Sequence, residues 1–435
     1  MVHDDGPVGL DGVAVVFDDE RVVSDAGIAL LATLAERLGI ERLAQRFVRL
    51  RRELPGSGNA GRKVMALVFA MALGADSIED AELLRTGRMR RLLGGRLPAP
   101  STLGTFLRAF TFGHVRQLDR LLGEALARAW QAGAGPGAGR LVIDADSFIG
   151  EVHGYAKQGA AFGYTRQRGY HPLLASRADT GEVLHLRLRK GSANTQRGIG
   201  RFADELIARI ERAGATGTKL LRADSGFWNT KLFARLERAG WQFSVSVRMA
   251  KAVRERVEAI PEDSWTTLPD YPDTGSAQIA ETTLGGRRLI VRRVRTLGPQ
   301  GELFPDWQHF PFATNRTELI SIVEAEHRQH AVVELVIRDL KDQALAHFPS
   351  GQFFANAAWS VIAALAHNLL RWTGAIGLPG SAVRTARTLR HRLLSLPGRL
   401  TRHGRRWTLH LPARWPWQGD FQAALSRIRA LPAAA

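Results

Sequence analysis

Three acidic residues lie at positions where a metal-dependent reaction on phosphates could use them. Asp146 and Asp224 each end an apolar run typical of a buried strand, and Glu334 lies in an amphipathic helical run. If the two strands are parallel neighbours, their ends lie roughly 5 Å apart, so both aspartates can contribute to one site. Any single Asp at a strand end can be an ordinary turn or cap residue, but three acids in this order favour a shared site.

The oxygen ligands determine which metal such a site would prefer. Two aspartates and a glutamate from a helix across the sheet edge can hold two divalent cations about 3.5–4 Å apart, which stabilise the entering and leaving oxygens in an in-line attack on a phosphodiester. The chain has no cysteine. Hard oxygen ligands favour Mg²⁺ or Mn²⁺. The sequence therefore predicts two Mg²⁺ or Mn²⁺ ions per active site.

The segment around Glu334 is predicted to form one helix from about Ile320 to Phe348. Apolar residues line one side of this helix, and titratable or cationic groups share the other. These groups are His327, His330, Glu334 and Lys341. A carboxylate among such groups suits a site for a metal and a phosphate. One alternative is an ordinary solvated helix face. Another is a transition-metal site at the two histidines and the glutamate, but no additional strong ligand lies nearby in the sequence to complete it.

A mixed sheet is predicted to position the acids. Three meandering strands precede a helix, a strand, a second helix and a last strand, which is the pattern of a mixed α/β fold. The predicted strands are 141–146, 172–176, 183–189, 219–224 and 242–247, and the predicted helices are 196–213 and 229–239.

The chain as a whole is predicted to be a multidomain α/β protein with five regions. An N-terminal helical bundle, a candidate DNA-binding domain, covers 1–138 and ends in a glycine-rich stretch typical of a linker. The first part of the core covers 139–248, a β-rich insertion 249–316, and the second part of the core, with the glutamate helix, 317–375. A basic C-terminal region covers 376–435.

The charge of the chain indicates a polyanionic partner. Its 435 residues carry a formal net charge of +18, mostly from Arg, which binds phosphate in a bidentate manner. An Arg-rich codon bias would give the same composition. No signal peptide is visible, and the longest apolar run, Ala357–Ala366, is too short to span a bilayer. With the absence of cysteine, these features predict a cytoplasmic protein without a membrane partner.

Several segments resemble bacterial insertion-sequence transposases of the DDE type, most closely the insertion-sequence thirteen-eighty family. They are IDADS from Ile143, GYHPLL from Gly169, LRADSGF from Leu221, ELVIRDLK from Glu334, and FFANAAW from Phe353 with Asn368-Leu369. The resemblance implies an RNase H-like core interrupted by a β-rich insertion. It places the catalytic acids and metal ligands at Asp146, Asp224 and Glu334. Asp146 is preferred because the family's first Asp is followed closely by Ser or Thr, which leaves Asp144 as a candidate auxiliary acid.

The resemblance also suggests which residues contact DNA. Related transposases carry a Tyr-Arg-Glu-Lys signature, and the Tyr and Arg positions are both histidine here. The candidate contacts are His327, His330 and Lys341, with Arg328 and Arg338 beside them. A neutral histidine binds phosphate more weakly than Arg. Trp307, in the insertion, is a candidate for stacking on an unpaired base.

The function implied by the resemblance is DNA transposition. The protein would bind double-stranded DNA at the terminal inverted repeats of its element, cleave it, and join the freed 3′ ends to target DNA. Cut-and-paste excision through a hairpin, a homodimer in the DNA complex, and association with the bacterial nucleoid are further expectations. The alternatives are a metal-dependent nuclease that does not transfer strands and a DNA-binding relative that no longer cuts.

Overall fold

The computed structural model describes residues 11, 13–51, 53–163, 166–269, 275–296, 307–380 and 385–434. A nine-stranded mixed sheet forms its centre, with two three-stranded sheets outside it. Helices of the N-terminal part and one long apolar helix pack beside the central sheet. The predicted mixed α/β fold is confirmed.

The N-terminal part is helical, as predicted. A short strand, β1 (Val22–Val23), comes first. The helices are α1 (Ile28–Arg37), α2 (Ile40–Phe47), α3 (Ala60–Ala72), α4 (Met89–Leu92), α5 (Pro100–Arg108) and α6 (Phe112–Ala129). A capping box formed by Thr111 and His114 starts α6 and satisfies its first backbone N–H groups.

The glycine-rich stretch after α6 joins the helical part to the sheet without separating their cores. α6 continues into a π-helical turn, Trp130–Ala134, and the buried Trp130 indole donates to Glu182 at 3.0 Å. The Arg177 guanidinium donates to the Ala134 carbonyl at 2.8 Å. A single apolar core continues from the N-terminal helices into the sheet. The predicted boundary near residue 138 is therefore a turn beside a shared core.

The central sheet contains the five strands predicted from the sequence. They are β2 (Leu141–Ser147), β6 (Leu173–Arg177), β7 (Val183–Arg187), β8 (Lys219–Ala223) and β9 (Gln242–Ser246). Between β2 and β6, the short strands β3 (Gly150–Glu151), β4 (Ala161–Phe162) and β5 (Arg168–Tyr170) form a separate small sheet. The connecting helices are α7 (Ile199–Ala213) and α8 (Thr230–Arg238). β2 pairs with β8 in parallel, as the shared acidic site requires.

The β-rich insertion extends the central sheet. Its elements are α9 (Lys251–Glu258), β10 (Thr266–Thr267), β11 (Gly275–Leu284), β12 (Arg287–Thr296) and β13 (Gln308–Thr314). β13 pairs antiparallel with β9, so the sheet order is β10-β11-β12-β13-β9-β8-β2-β6-β7. α9 packs on the insertion strands through its own small apolar cluster.

The predicted helix around Glu334 is interrupted. It consists of α10 (Ile320–Arg328), a 3-10 turn (Gln329–Ala331) and α11 (Val332–Lys341). The Arg222 side chain from β8 donates to the backbone carbonyls of Glu326 and Gln329, which draws the end of α10 towards the sheet. The prediction of one continuous helix was therefore wrong, because a buried side chain from another element competes for its carbonyls.

The next helix, α12 (Phe353–Gly377), forms the centre of the core. Its 25 residues are long and apolar enough to cross a membrane by length and composition alone. Nearly all of them are buried against the N-terminal helices and β7, as expected for a core helix.

The C-terminal region adds two helices and a hairpin. Its elements are α13 (Ala386–Leu389), β14 (Gly398–His403), β15 (Arg406–His410) and α14 (Gln418–Ala430). β14 pairs with β15 and with the N-terminal strand β1, so β1 and the C-terminal hairpin share one sheet.

Candidate active site

Asp146 and Asp224 lie side by side at one edge of the sheet. Ala145 of β2 and Ala223 of β8 are partners in the parallel register, so the residue after each is an aspartate at the same level. Both aspartates line one cavity of about 780 Å³. The apolar runs that precede them fix this arrangement, because buried parallel strands bring their carboxyl ends to the same edge.

The environment of Asp146 disfavours its negative charge. Burial is the main cause that raises the pKa of Asp146 to about 6, and the negative charges of Asp224 and Glu334 contribute to the same increase. A hydrogen bond from the Ser147 backbone N–H opposes it. His330 acts in the opposite direction. The carboxylates of all three predicted acids are therefore close enough to interact electrostatically.

Glu334 lies next to the two aspartates in an adjoining cavity. It is exposed on α11 and lines a cavity of about 410 Å³. Ser225 and Val247 line both cavities. Over the residues the structure describes, no three His, Asp or Glu side chains are close enough to bind one ion as they stand. Convergence of the three acids on a metal thus stays a prediction, and it requires side-chain movement.

Asp144 has a different role from the predicted auxiliary acid. It is fully buried and binds Arg222 through both carboxylate oxygens, at 2.7 and 2.8 Å. Asp144 Oδ1 also lies 3.0 Å from Nδ1 of His330. Arg222 also donates to a backbone carbonyl of α10 and to one of the 3-10 turn, so the Asp144–Arg222 pair ties the segment before Glu334 to the sheet. Both carboxylate oxygens of Asp144 are hydrogen-bonded, and Asp144 lines neither cavity. We therefore correct its assignment to a positioning residue.

His327 does not meet the predicted role of a cationic contact to phosphate. Its ring stacks on Phe312 with centroids 4.0 Å apart, and its nitrogens lie 2.8 and 3.1 Å from the hydroxyls of Ser244 and Ser246. Burial, with nearby positive charges, lowers the pKa of His327 to about 3. The imidazole is neutral at physiological pH and packs α10 onto β9 and β13.

The other predicted DNA contacts differ in their freedom to reach a phosphate. Arg338 and Lys341 are exposed on the same face of α11 as Glu334, and the Lys341 ammonium lies 5.5 Å from the Phe148 ring just after β2. Arg328 is exposed but pairs with Glu324 at 2.9 Å. His330 is largely buried and bound to Asp144. Their contacts to DNA stay predictions.

Trp307 lies among arginines at the edge of the insertion. The guanidinium carbons of Arg293 and Arg295 lie 4.4 and 5.2 Å from its ring centroid. Arg293 also stacks on Trp265 at 4.1 Å. Stacking of Trp307 on a base stays a prediction, and these cations would add to such a contact.

A hydrogen-bonded network beside the aspartates was missed at the sequence level. The buried His171 donates from Nδ1 to the Ala193 carbonyl, and its Nε2 accepts from the Ser147 hydroxyl at 3.0 Å. Ser147 Oγ lies 3.1 Å from the Thr195 hydroxyl. Burial lowers the pKa of His171, which keeps this tautomer neutral. The only sequence signal was the segment GYHPLL, which resembled the transposases without suggesting a role for its histidine.

Arg248 is the second residue that the sequence did not single out. It lines the cavity of Asp146 and Asp224, is exposed, and its Nε lies 3.4 Å from Ser225 Oγ. Its position just after β9, one strand away from Asp224, places a cation beside the acids. A charged residue directly after a sheet strand was the available signal.

Comparison with known proteins identifies the family. Residues 6–433 match the family model described as "Transposase DDE domain group 1", so the chain belongs to this family of DDE transposases. No curated protein matches the chain. A solved structure, the "Cryo-EM structure of piggyBac transposase synaptic complex with hairpin DNA", matches with 13% identity and a TM-score of 0.45, over 87% of this chain and 80% of that one. This similarity is too low to transfer any property of that complex.

The predicted membership of the DDE transposases is therefore confirmed. Families of this kind carry a nuclease and transposase activity and generally use divalent metals. The narrower insertion-sequence thirteen-eighty family and a bacterial origin stay predictions.

Proposed function

We propose that the chain binds the terminal inverted repeats of an insertion sequence, cleaves DNA strands there with Mg²⁺ or Mn²⁺, and joins the 3′ ends to target DNA. The observation that carries the proposal is the pair Asp146 and Asp224 at the ends of two parallel strands, with Glu334 on the adjacent helix. Hairpin-mediated excision, a homodimer in the DNA complex and a cytoplasmic, nucleoid-associated location are parts of the same proposal.

The residues at the site fit divalent cations. The side chains of Asp146, Asp224 and Glu334 offer hard oxygen donors. Burial, together with the charges of Asp224 and Glu334, raises the pKa of Asp146. These three residues would hold the metal, which when bound would stabilise negative charge on the reacting phosphate. Cation binding would offset the repulsion among the carboxylates.

The other residues position DNA and the acids. Arg222 and Asp144 hold the Glu334 helix against the sheet. Arg338 and Lys341 on α11, with Arg248 across the cavity, offer cations to the phosphates that flank the scissile bond. The neutral His171 orients the hydroxyl of Ser147. The backbone N–H of Ser147 donates to the Asp146 carboxylate.

The experiment that tests the proposal separates cleavage from joining. Purified protein is incubated with Mg²⁺, a plasmid carrying the element with its terminal inverted repeats, and a target plasmid. Appearance of joined target product is the expected result, and a hairpin at the excised end is visible on a denaturing gel. Cleavage without joining would indicate a nuclease, and binding without cleavage a non-cutting relative.

We expect the Asp146→Asn variant to be more stable than the wild type in the absence of metal. The pKa of Asp146 is about 6 in the folded protein, above its ordinary value of 3.8. Between pH 3.8 and pH 6, Asp146 therefore holds its proton more often in the folded protein than in the unfolded chain. This contribution to stability is complete below pH 4 and is lost as pH rises through about 6. Asn removes the buried charge, so at pH 7.5 the free energy of unfolding should rise by up to about 3 kcal/mol.

Urea denaturation at pH 5 and pH 7.5 measures this difference. The advantage of Asp146→Asn should be smaller at pH 5. Added Mg²⁺ should raise the stability of the wild type more than that of the variant. Equal stability of the two proteins at pH 7.5 would contradict the account of Asp146.

Lys341→Ala should lower the rate of single-turnover cleavage several-fold. Its ammonium lies near the end of β2 on the Glu334 face of α11, where it would contact a phosphate of the cleaved strand. Metal binding, measured by calorimetry with Mn²⁺, should be unchanged because no metal ligand is removed. Lys231→Ala, at an exposed lysine on α8, is the matched control. A wild-type cleavage rate in Lys341→Ala would make this residue an ordinary solvated lysine.

A further inference from the structure

Residues from distant parts of the chain form a basic surface around one exposed indole. We call it the basic hairpin surface, and its residues are Arg88, Arg91, Arg402, Arg405, Arg406 and Trp407. Trp407 is 41% exposed. The guanidinium carbons of Arg88, Arg91 and Arg402 lie 5.7, 5.9 and 5.6 Å from its ring centroid. Arg405 is exposed in the adjoining turn, and Arg406 is exposed at the start of β15.

Three segments hold this surface together through their backbones. The Arg88 N–H donates to the Val22 carbonyl at 3.0 Å, and the Leu400 N–H donates to the Arg21 carbonyl at 2.9 Å. The Arg88 side chain donates to the Leu400 carbonyl at 2.7 Å. Gly87 allows the close approach, because a Cβ there would lie 2.3 Å from the Val22 carbonyl oxygen. The arginines thus project from a fixed platform.

The arginines of this surface are not neutralised by carboxylates in the part of the chain that the structure describes. In the described part of the chain, none of its five arginines forms an ion pair with Asp or Glu. The neighbouring Arg85 and Arg399 do so, with Glu82 and Asp19. Guanidinium groups that converge on one ring repel each other, and this repulsion is relieved when a polyanion binds. The surface therefore suits a ligand with several regularly spaced negative charges.

We propose that the basic hairpin surface binds the phosphate backbone of duplex DNA, at a place separate from the catalytic acids. The proposal rests on the proposed function, in which duplex DNA is the substrate. The surface shares no residue with the two cavities that contain Asp146, Asp224 and Glu334. It would hold the DNA without reading its sequence, because guanidinium contacts to phosphates position a protein and carry no base information.

Duplex DNA suits the surface better than a membrane does. Interfacial membrane binding needs an apolar face that enters the lipid beneath the basic groups. On the hairpin the other exposed positions are polar or charged, including Arg399, Thr408 and His410, and Trp407 is enclosed by arginines. Arg is also the residue whose planar fork matches a phosphate.

The test compares two variants of the full-length protein with the same loss of charge. The surface variant carries three substitutions, Arg91→Gln, Arg402→Gln and Arg405→Gln, and keeps the partly buried Arg88. The control variant carries Arg212→Gln, Arg238→Gln and Arg429→Gln, which remove three exposed arginines elsewhere on the protein. Fluorescence anisotropy with a labelled duplex of arbitrary sequence gives the dissociation constant at several KCl concentrations.

We expect the surface variant to bind duplex at least ~10-fold more weakly, with a salt slope of log K reduced by roughly 2–3, since each phosphate contact contributes about 0.9. The control variant should change much less. Equal affinity and slope in the two variants would overturn the proposal. If circular dichroism shows that the surface variant is misfolded, Arg402→Gln, Arg405→Gln provides the same comparison against Arg212→Gln, Arg238→Gln.

Two further outcomes distinguish this proposal from the proposed function. Wild-type protein that fails to bind any duplex would overturn both. Wild-type protein that binds duplex and cleaves, with a surface variant identical to the control, would overturn the surface alone. Vesicles of phosphatidylglycerol serve as the rival probe: loss of vesicle binding with unchanged duplex binding would assign the surface to a membrane and overturn the proposal.

Discussion

Asp224→Asn should abolish DNA cleavage while the protein still folds and binds DNA. The Asp224 carboxylate accepts a hydrogen bond from the Gly226 backbone N–H at 3.0 Å, and an asparagine oxygen can accept the same bond. The side chain is otherwise exposed at the end of β8, so little packing changes. Loss of one charged metal ligand should lower the single-turnover cleavage rate by at least ~10³-fold, or about 4 kcal/mol of transition-state stabilisation.

Asp204→Asn provides the matched control for this substitution. Asp204 is an exposed aspartate whose pairing with Arg235 on the protein surface contributes little to stability. Its variant should cleave at the wild-type rate. Binding of both variants to element-end DNA should match the wild type, because affinity comes mainly from cations that contact phosphates. Substantial cleavage by Asp224→Asn would remove Asp224 from the catalytic site.

Asp144→Ala should strongly destabilise the protein, although Asp144 has no predicted contact with DNA. The change leaves Arg222 buried without its bidentate partner, and breaking a buried pair in this way costs about 3–5 kcal/mol. The double variant Asp144→Leu, Arg222→Met should recover much of that stability, since apolar residues of similar volume often replace a buried ion pair at little cost. Urea denaturation measures both effects.

The double variant should nevertheless cleave DNA at least ~10-fold more slowly than the wild type, because a displacement of about 1 Å at a catalytic group can have such an effect. Met cannot donate to the carbonyls of Glu326 and Gln329, so the turn before α11 loses its tie to the sheet and Glu334 is less well positioned. Mn²⁺ affinity, measured by calorimetry, should fall as well. A stable double variant with wild-type cleavage would show that the Asp144–Arg222 pair does not position the site.

Local sequence patterns were sufficient to predict the sheet and the placement of two acids. The apolar runs before Asp146 and Asp224 are short and bounded, which is typical of buried strands, and the structure pairs them in parallel. The family resemblance depended on the same motifs. The insertion was predicted to be β-rich, but neither the register of its strands nor its pairing with β9 follows from local sequence.

Interactions between distant residues account for what the sequence did not reveal. His327 and Glu334 have the spacing of one helix face, but Arg222 interrupts the helix between them, and Phe312 with two serines surrounds the His327 ring. Asp144 and Asp146 look alike in the motif IDADS. The family resemblance favours Asp146 as the catalytic acid, and the structure adds a physical reason: Arg222 lies opposite Asp144 in the parallel register and pairs with it, whereas Asp146 lines the cavity.

Iron-directed cleavage of the protein backbone tests most directly whether Asp146, Asp224 and Glu334 form one metal centre. Fe²⁺ replaces Mg²⁺, and ascorbate with peroxide generates hydroxyl radicals that cut the chain near the bound ion. We predict cuts close to all three residues, suppressed by excess Mg²⁺ and by Asp224→Asn. Cuts near Asp146 and Asp224 without any near Glu334, or none that Mg²⁺ suppresses, would contradict the proposed centre.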